Sequence, residues 1–87
     1  MNCYEECEKI LEERKSGIIR KIINNKNQWG DNPIFEVEHI EGNFKMHYIV
    51  SLKEGVIIDP FLREKGQIPE EDYLKIAYKN SEELRII

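Results

Sequence analysis

The sequence predicts an α+β domain in which an N-terminal helix packs on a small antiparallel β-meander and a second helix lies near the C-terminus. Two observations predict this class. Apolar residues recur at helical spacing near both ends of the chain, whereas in the middle they alternate with polar residues in short runs that turn residues separate. We expect a single domain over residues 1–87, because roughly 100 residues is a common size for one core.

Composition and charge exclude several classes of function. The net charge of −4 gives no general attraction to phosphate backbones, so we expect no nucleic-acid partner. Apolar runs fall short of the roughly 20 residues that cross a bilayer, and no secretory signal is recognisable, which predicts a cytoplasmic protein without a membrane partner. Two cysteines are too few for the disulfide framework of a small secreted protein, so we expect both to be reduced thiols. Because so small a core is only marginally stable, a homodimer contact would stabilise it.

The first predicted element is an amphipathic helix over residues 3–15. One face carries residues at helical spacing, which are Cys3, Cys7, Ile10, Leu11 and Arg14. Asn2 is a favourable N-cap residue, and the acidic Glu5 and Glu6 suit the positive end of the helix dipole. Ser16 followed by Gly17 is the predicted end of the helix.

Residues 17–24 fit a helical period, but their isoleucines are β-branched, so we favour a strand with a helix as the alternative. Residues 24–33 are rich in Asn, Gly, Asp and Pro, which predicts a loop containing Trp29. The meander then follows, with strands predicted over 34–40, 44–52 and 56–61 and turn residues between them.

A second helix is predicted after a polar loop at 63–67. Pro69 stands where the first helical residue is expected, and an acidic run at 70–72 suits the helix dipole. The apolar face of this helix consists of Tyr73, Leu74, Ile76, Ala77 and Tyr78. Residues 84–87 are either a short strand or a frayed tail.

Three side chains have the types and settings of thiol-based nucleophilic catalysis. Cys3 lies at the start of the first helix, where free N–H groups and the helix dipole lower the pKa of a thiol. His47 opens one strand and Asp59 closes the next, so their hairpin brings the two together if Leu52 pairs with Val56. The carboxylate would then fix the tautomer of an imidazole that accepts the thiol proton.

Other assignments of these residues stay open. Cys3 could be a small buried residue, and Cys7, one turn later on the same face, is expected to belong to the core. His39 is a competing candidate base. The two cysteines and two histidines have the ligand types of a zinc site, but their spacing is not that of a zinc knuckle, so we expect no metal and no cofactor.

Three short motifs follow one another along the chain, which are NCYEEC at 2–7, MHYIV at 46–50 and GVIIDP at 55–60. Together they resemble the small papain-fold toxin domains of bacterial polymorphic toxin systems, in which a Cys starts a helix, a His precedes an apolar strand and an Asp follows the next strand. The likeness extends to an acidic-aromatic helix around 71–74.

The resemblance implies a minimal papain-like core and a cysteine hydrolase, either a peptidase or an amidase/deamidase. Cys3 would be the nucleophile, His47 the general base and Asp59 the residue that orients the His47 ring, although Cys7 also fits the family's Cys motif. The upstream Gln of papain-like peptidases has no counterpart before Cys3. A backbone N–H at the helix start, or Gln28, would have to stabilise the oxyanion instead.

The resemblance also implies a protein or peptide substrate, delivery of a toxin into a target cell and an immunity protein as partner. A competing hypothesis is a non-catalytic protein-binding module on the same fold, such as an immunity or adaptor protein. An acidic surface would suit docking of that module on a basic partner.

Overall fold

The computed structural model describes residues 3–25, 35–36, 43–44 and 47–87. Its elements, in chain order, are helix α1 (Cys3–Arg14) and strands β1 (Ile18–Asn24), β2 (Phe35–Glu36), β3 (Asn43–Phe44), β4 (His47–Ser51), β5 (Val56–Ile58) and β6 (Gln67–Pro69), followed by helix α2 (Glu70–Ala77) and strand β7 (Leu84–Ile86). An N-terminal helix, an antiparallel sheet and a C-terminal helix confirm the predicted α+β class.

Five strands form one antiparallel sheet in the order β6-β5-β4-β1-β7, and β2 pairs with β3 separately. The consecutive strands β4, β5 and β6 are a meander, which β1 and β7 extend on one side. Neither helix in the described part of the chain has the length and apolar character needed to cross a membrane.

Helix α1 ends one residue before the predicted position. Lys15 takes a positive φ of 57°, and its N–H donates to the Leu11 carbonyl at 2.7 Å, which closes the last turn. Gly17 then has a φ of 107°, and a Cβ there would lie 3.0 Å from a methyl carbon of Leu52. Only glycine lets the chain pass so close to β4 as it enters β1.

The favoured strand over residues 17–24 is confirmed as β1, which lies between β4 and β7. Its register with β4 runs from Ile18 opposite Ser51 to Ile22 opposite His47. Ile22 is fully buried and the residues around it in β1 are partly buried, which suits β-branched side chains on a pleated surface.

Several predicted boundaries are wrong. Strand β4 ends at Ser51 and not at residue 52, and β5 ends at Ile58 and not at residue 61, while residues 45–46, near the predicted start of β4, lie outside the described residues. The chain turns after β5 because the Asp59 carboxylate accepts the N–H of Phe61 at 2.8 Å and the Asp59 carbonyl accepts the N–H of Leu62 at 3.0 Å.

The predicted loop at 63–67 is also wrong, since Arg63–Lys65 forms a 3-10 turn and β6 follows it. Pro69 ends β6 and caps α2, whose first residue is Glu70. Proline is tolerated there because β6 is an edge strand. Of the two predictions for residues 84–87, the short strand is confirmed, because β7 pairs with β1.

Buried side chains form two clusters on opposite faces of the sheet. The α1-side cluster consists of Cys7, Ile10, Val50, Leu52 and Ile58. The α2-side cluster consists of Ile22, Ile49, Ile57, Leu62, Ile68, Tyr73, Ala77, Tyr78 and Leu84. Neighbouring residues of β4 and β5 alternate between the two clusters, as the period of a strand requires. The sheet is therefore covered by a helix on each face.

Candidate active site

The structure brings together the three candidate catalytic side chains. Cys3 is the first residue of α1, His47 is the first residue of β4, and Asp59 directly follows β5. The Nε2 atom of His47 lies 2.9 Å from Oδ1 of Asp59, and both side chains are fully buried. Cys3 is half-buried, and its thiol lies near enough to the His47 ring for each group to shift the pKa of the other. Imidazole and carboxylate are thus hydrogen-bonded, and the thiol interacts with the same ring.

The register of the β4–β5 hairpin is the one that the sequence argument required. The Leu52 N–H donates to the Val56 carbonyl at 2.9 Å. The rings of His47 and Phe61 stack with their centroids 5.0 Å apart. Asp59 lies on the same face of the sheet within diagonal reach, and this places its carboxylate against the ring.

The second oxygen of the Asp59 carboxylate, Oδ2, accepts hydrogen bonds from two tyrosines. The hydroxyl of Tyr78 donates at 2.7 Å, and the hydroxyl of Tyr73 donates to the same atom. Sequence reasoning missed this role and assigned both residues only to the apolar face of the second helix. The available signal is that a buried tyrosine hydroxyl usually requires a polar partner.

The site favours a charged thiol and a charged imidazole. Partial burial opposes the thiolate, but hydrogen bonds from the His47 ring and the Tyr48 backbone, with the imidazolium charge, hold the pKa of Cys3 below its usual value. Burial also opposes charge on His47, yet the hydrogen bonds with Asp59 and Cys3 raise its pKa from 6.5 to about 9. Opposite shifts of this kind favour a thiolate–imidazolium pair over a neutral thiol and imidazole.

Asp59 stays ionised beside this pair. Burial would raise the pKa of its carboxyl, but the hydrogen bond and positive charge of His47, with the donors from Tyr73 and Tyr78, hold that pKa below its usual value. Because Asp59 contacts Nε2, the other nitrogen, Nδ1, is the one through which the ring can exchange a proton with a thiol or a substrate.

Cys7 has the opposite environment. Its side chain is fully buried in the α1-side cluster, one helical turn beyond Cys3. Burial raises the pKa of this thiol to about 12, and the negative charges of Cys3 and Asp59 add to the increase. A thiol that remains protonated is a poor nucleophile, so the contacts favour Cys3 over Cys7 as the reactive residue.

Several predicted participants lie outside the described residues: Asn2, Gln28, Trp29 and His39. Within the described ranges, no group of three or more His, Cys, Asp or Glu side chains has an arrangement that could hold a metal ion. The backbone of Tyr48 also contributes to the lowered pKa of Cys3, so this main chain lies near the thiol.

No protein-family model, curated protein or solved structure matches the chain. The resemblance to papain-fold toxin domains therefore stays a prediction, and the functional argument depends on the geometry of the three side chains.

Proposed function

We propose that this protein is a small papain-like cysteine hydrolase, with Cys3 as nucleophile, His47 as general base and acid, and Asp59 orienting the His47 ring. One observation carries the proposal. A buried carboxylate lies 2.9 Å from an imidazole that lowers the pKa of a neighbouring thiol. A buried His–Asp pair alone is compatible with a structural role, but its interaction with a thiol of lowered pKa supports nucleophilic chemistry.

The proposed reaction is acyl transfer from a peptide bond or a side-chain amide. The Cys3 thiolate attacks the carbonyl carbon, and the imidazolium of His47 donates its proton to the leaving amine as the C–N bond breaks. Water then attacks the thioester while His47 accepts a proton from that water. The carboxylic acid product leaves and the thiolate is restored. Backbone N–H groups near the sulfur, such as that of Tyr48, would stabilise the oxyanion.

The order of the motifs further supports the class of bacterial toxins. On this proposal the substrate is a protein of the cell in which the toxin acts, and an immunity protein is the partner that blocks the site. The three motifs cover both walls of the proposed site, which are the start of α1 and the adjoining ends of β4 and β5.

A non-catalytic module, such as an immunity or adaptor protein, is the second candidate. The net charge of −4 favours it, since an acidic surface suits a basic partner. Such a module does not require a reactive thiol, so the reactivity of Cys3 separates the two functions.

The test is the pH dependence of alkylation by iodoacetamide. A Cys7→Ala variant leaves Cys3 as the single thiol, and a Cys3→Ala variant leaves Cys7 as the matched control. We expect Cys3 to react at pH values well below the ordinary thiol pKa of about 8.5, and Cys7 to react only after unfolding. Ordinary thiol behaviour of Cys3 in the folded protein would refute the proposed function.

A further inference from the structure

The Asp59 carboxylate has a full set of hydrogen-bond donors. Oδ1 accepts from the backbone N–H of Phe61 at 2.8 Å and faces His47 Nε2 at 2.9 Å. Oδ2 accepts from the hydroxyls of Tyr78 and Tyr73, whose oxygens are 3.0 Å apart. A carboxylate has about four lone-pair positions, so these four donors occupy its acceptor capacity.

Both tyrosines come from the C-terminal helical segment and not from the hairpin that carries the site. Tyr73 lies in α2 and Tyr78 directly follows it, and their rings meet edge to face at 5.9 Å. Their residues are 0% and 3% exposed, so water does not compete for their hydroxyls. Tyr78 also contacts the edge of the His47 ring, with centroids 6.0 Å apart. Helix α2 therefore reaches the site through these two side chains.

Hydrogen bonds to the charged form of a buried carboxyl stabilise that form and fix its orientation. The titratable groups facing Asp59 are His47 from β4, Tyr73 and Tyr78 from the α2 segment, and Cys7 from α1, which is affected by the Asp59 charge. Of these, His47 supplies the positive charge, and the two hydroxyls supply neutral donors that hold Oδ2 away from the ring. Without them the carboxylate could rotate or accept a proton.

We propose that Tyr73 and Tyr78 are positioning residues, which keep Asp59 ionised with Oδ1 directed at His47 and so preserve the thiolate–imidazolium pair into acidic solution. This inference rests on the proposed function. It assigns to α2 a part in the reactivity of a thiol that lies on α1, across the sheet. It also explains why two tyrosines, and not two phenylalanines, fill this part of the core.

The experiment measures iodoacetamide alkylation of Cys3 against pH in Tyr73→Phe, Tyr78→Phe and the double variant, all carrying Cys7→Ala. Each substitution removes one hydroxyl and keeps the ring. We expect the acid limb of the rate profile to move upward by about one pH unit per hydroxyl, which is about a tenfold lower rate within the limb. Asp72→Asn is the control, because Asp72 is an exposed residue of α2 next to Tyr73. Its profile should not move.

The outcomes separate this inference from the proposed function. Ordinary thiol behaviour of Cys3 in the parent protein would refute the function itself. A low acid limb that stays unchanged in both tyrosine variants would refute only the positioning role.

A second measurement does not require the variants to fold. In the parent protein, the ¹³C signal of the Asp59 carboxyl should show no titration near the ordinary aspartate pKa of about 3.9. A titration at that value would overturn the inference.

Discussion

Replacing Asp59 with asparagine removes the charge that holds a proton on His47 while nearly preserving the size of the side chain. Burial opposes the imidazolium, and the hydrogen bond with Asp59 is the largest factor that favours it. The pKa of His47 is raised from 6.5 to about 9. Because each pKa unit corresponds to about 1.4 kcal/mol, the net stabilisation of the imidazolium is on the order of 3 kcal/mol.

We expect most of this stabilisation to be lost in Asp59→Asn. The pKa of His47 should fall to its ordinary value of 6.5 or below, because burial then acts with little opposition. Without a charged neighbour at pH 7, the pKa of the Cys3 thiol should rise towards its ordinary value of 9.0. The rate of alkylation of Cys3 at pH 6 should therefore fall with the thiolate fraction, by about tenfold for each unit that the pKa of Cys3 rises.

The assay is an NMR titration of the histidine rings between about pH 5 and pH 10, with the two signals assigned through a His39→Gln variant. Asp72→Asn is the control, because Asp72 is exposed in the first turn of α2. Its His47 titration should match that of the parent protein. If His47 remained protonated above about pH 8 in folded Asp59→Asn, the carboxylate would not be the source of its charge, and the reasoning would be refuted.

Three further predictions concern stability and activity. His47 contributes stability that is complete below pH 6.5 and lost as the pH rises towards about 9, whereas Cys3, with a lowered pKa, contributes stability that grows up to pH 9.0. The two trends offset each other, so the free energy of unfolding of the parent protein, measured in urea, should vary little over this pH range. Cys3→Ala should instead lose stability as the pH rises. If the two proteins showed the same dependence of unfolding free energy on pH, the coupling between Cys3 and His47 would be contradicted. Gly17→Ala should destabilise the fold by about 1–3 kcal/mol, because its φ is 107° and Leu52 lies 3.0 Å from the new Cβ. Gly55→Ala, with a positive φ but open space around it, should lower the free energy of unfolding by less in the same urea titration. An equal loss in both variants would show that the close approach of residue 17 to Leu52 is unimportant. Expression of the parent protein in a bacterial host should arrest growth, and Cys3→Ala should abolish the arrest at equal protein level; equal arrest by both forms would exclude cysteine-based toxicity.

The pairing of His47 with Asp59 could be predicted from the sequence because local signals determine it. A turn between two apolar runs set the register that pairs Leu52 with Val56, and this register alone decides whether His47 and Asp59 share a face. Cys3 could be located because the start of a helix is marked by its apolar period and its acidic first turn.

The strand pairings that could not be predicted from the sequence are long-range. The pairing of β1 with β4, and of β7 with β1, joins segments that are distant in the chain and have no local marker. The hydrogen bonds of Tyr73 and Tyr78 could not be predicted for a related reason. Their apolar rings fit a helical period, and only the folded sheet reveals that both hydroxyls meet Asp59.

The two faces of the sheet hold different parts of the proposed chemistry. Cys3 belongs to α1, which packs through the smaller of the two described clusters, while Asp59 is anchored from the α2 side. A local opening that lifted α1 away would separate nucleophile from base and leave the other layer folded. A bound protein that loosened or stabilised the packing of α1 would then regulate the reactivity of Cys3 without contacting His47. Amide hydrogen exchange along α1 would measure how firmly the helix is packed.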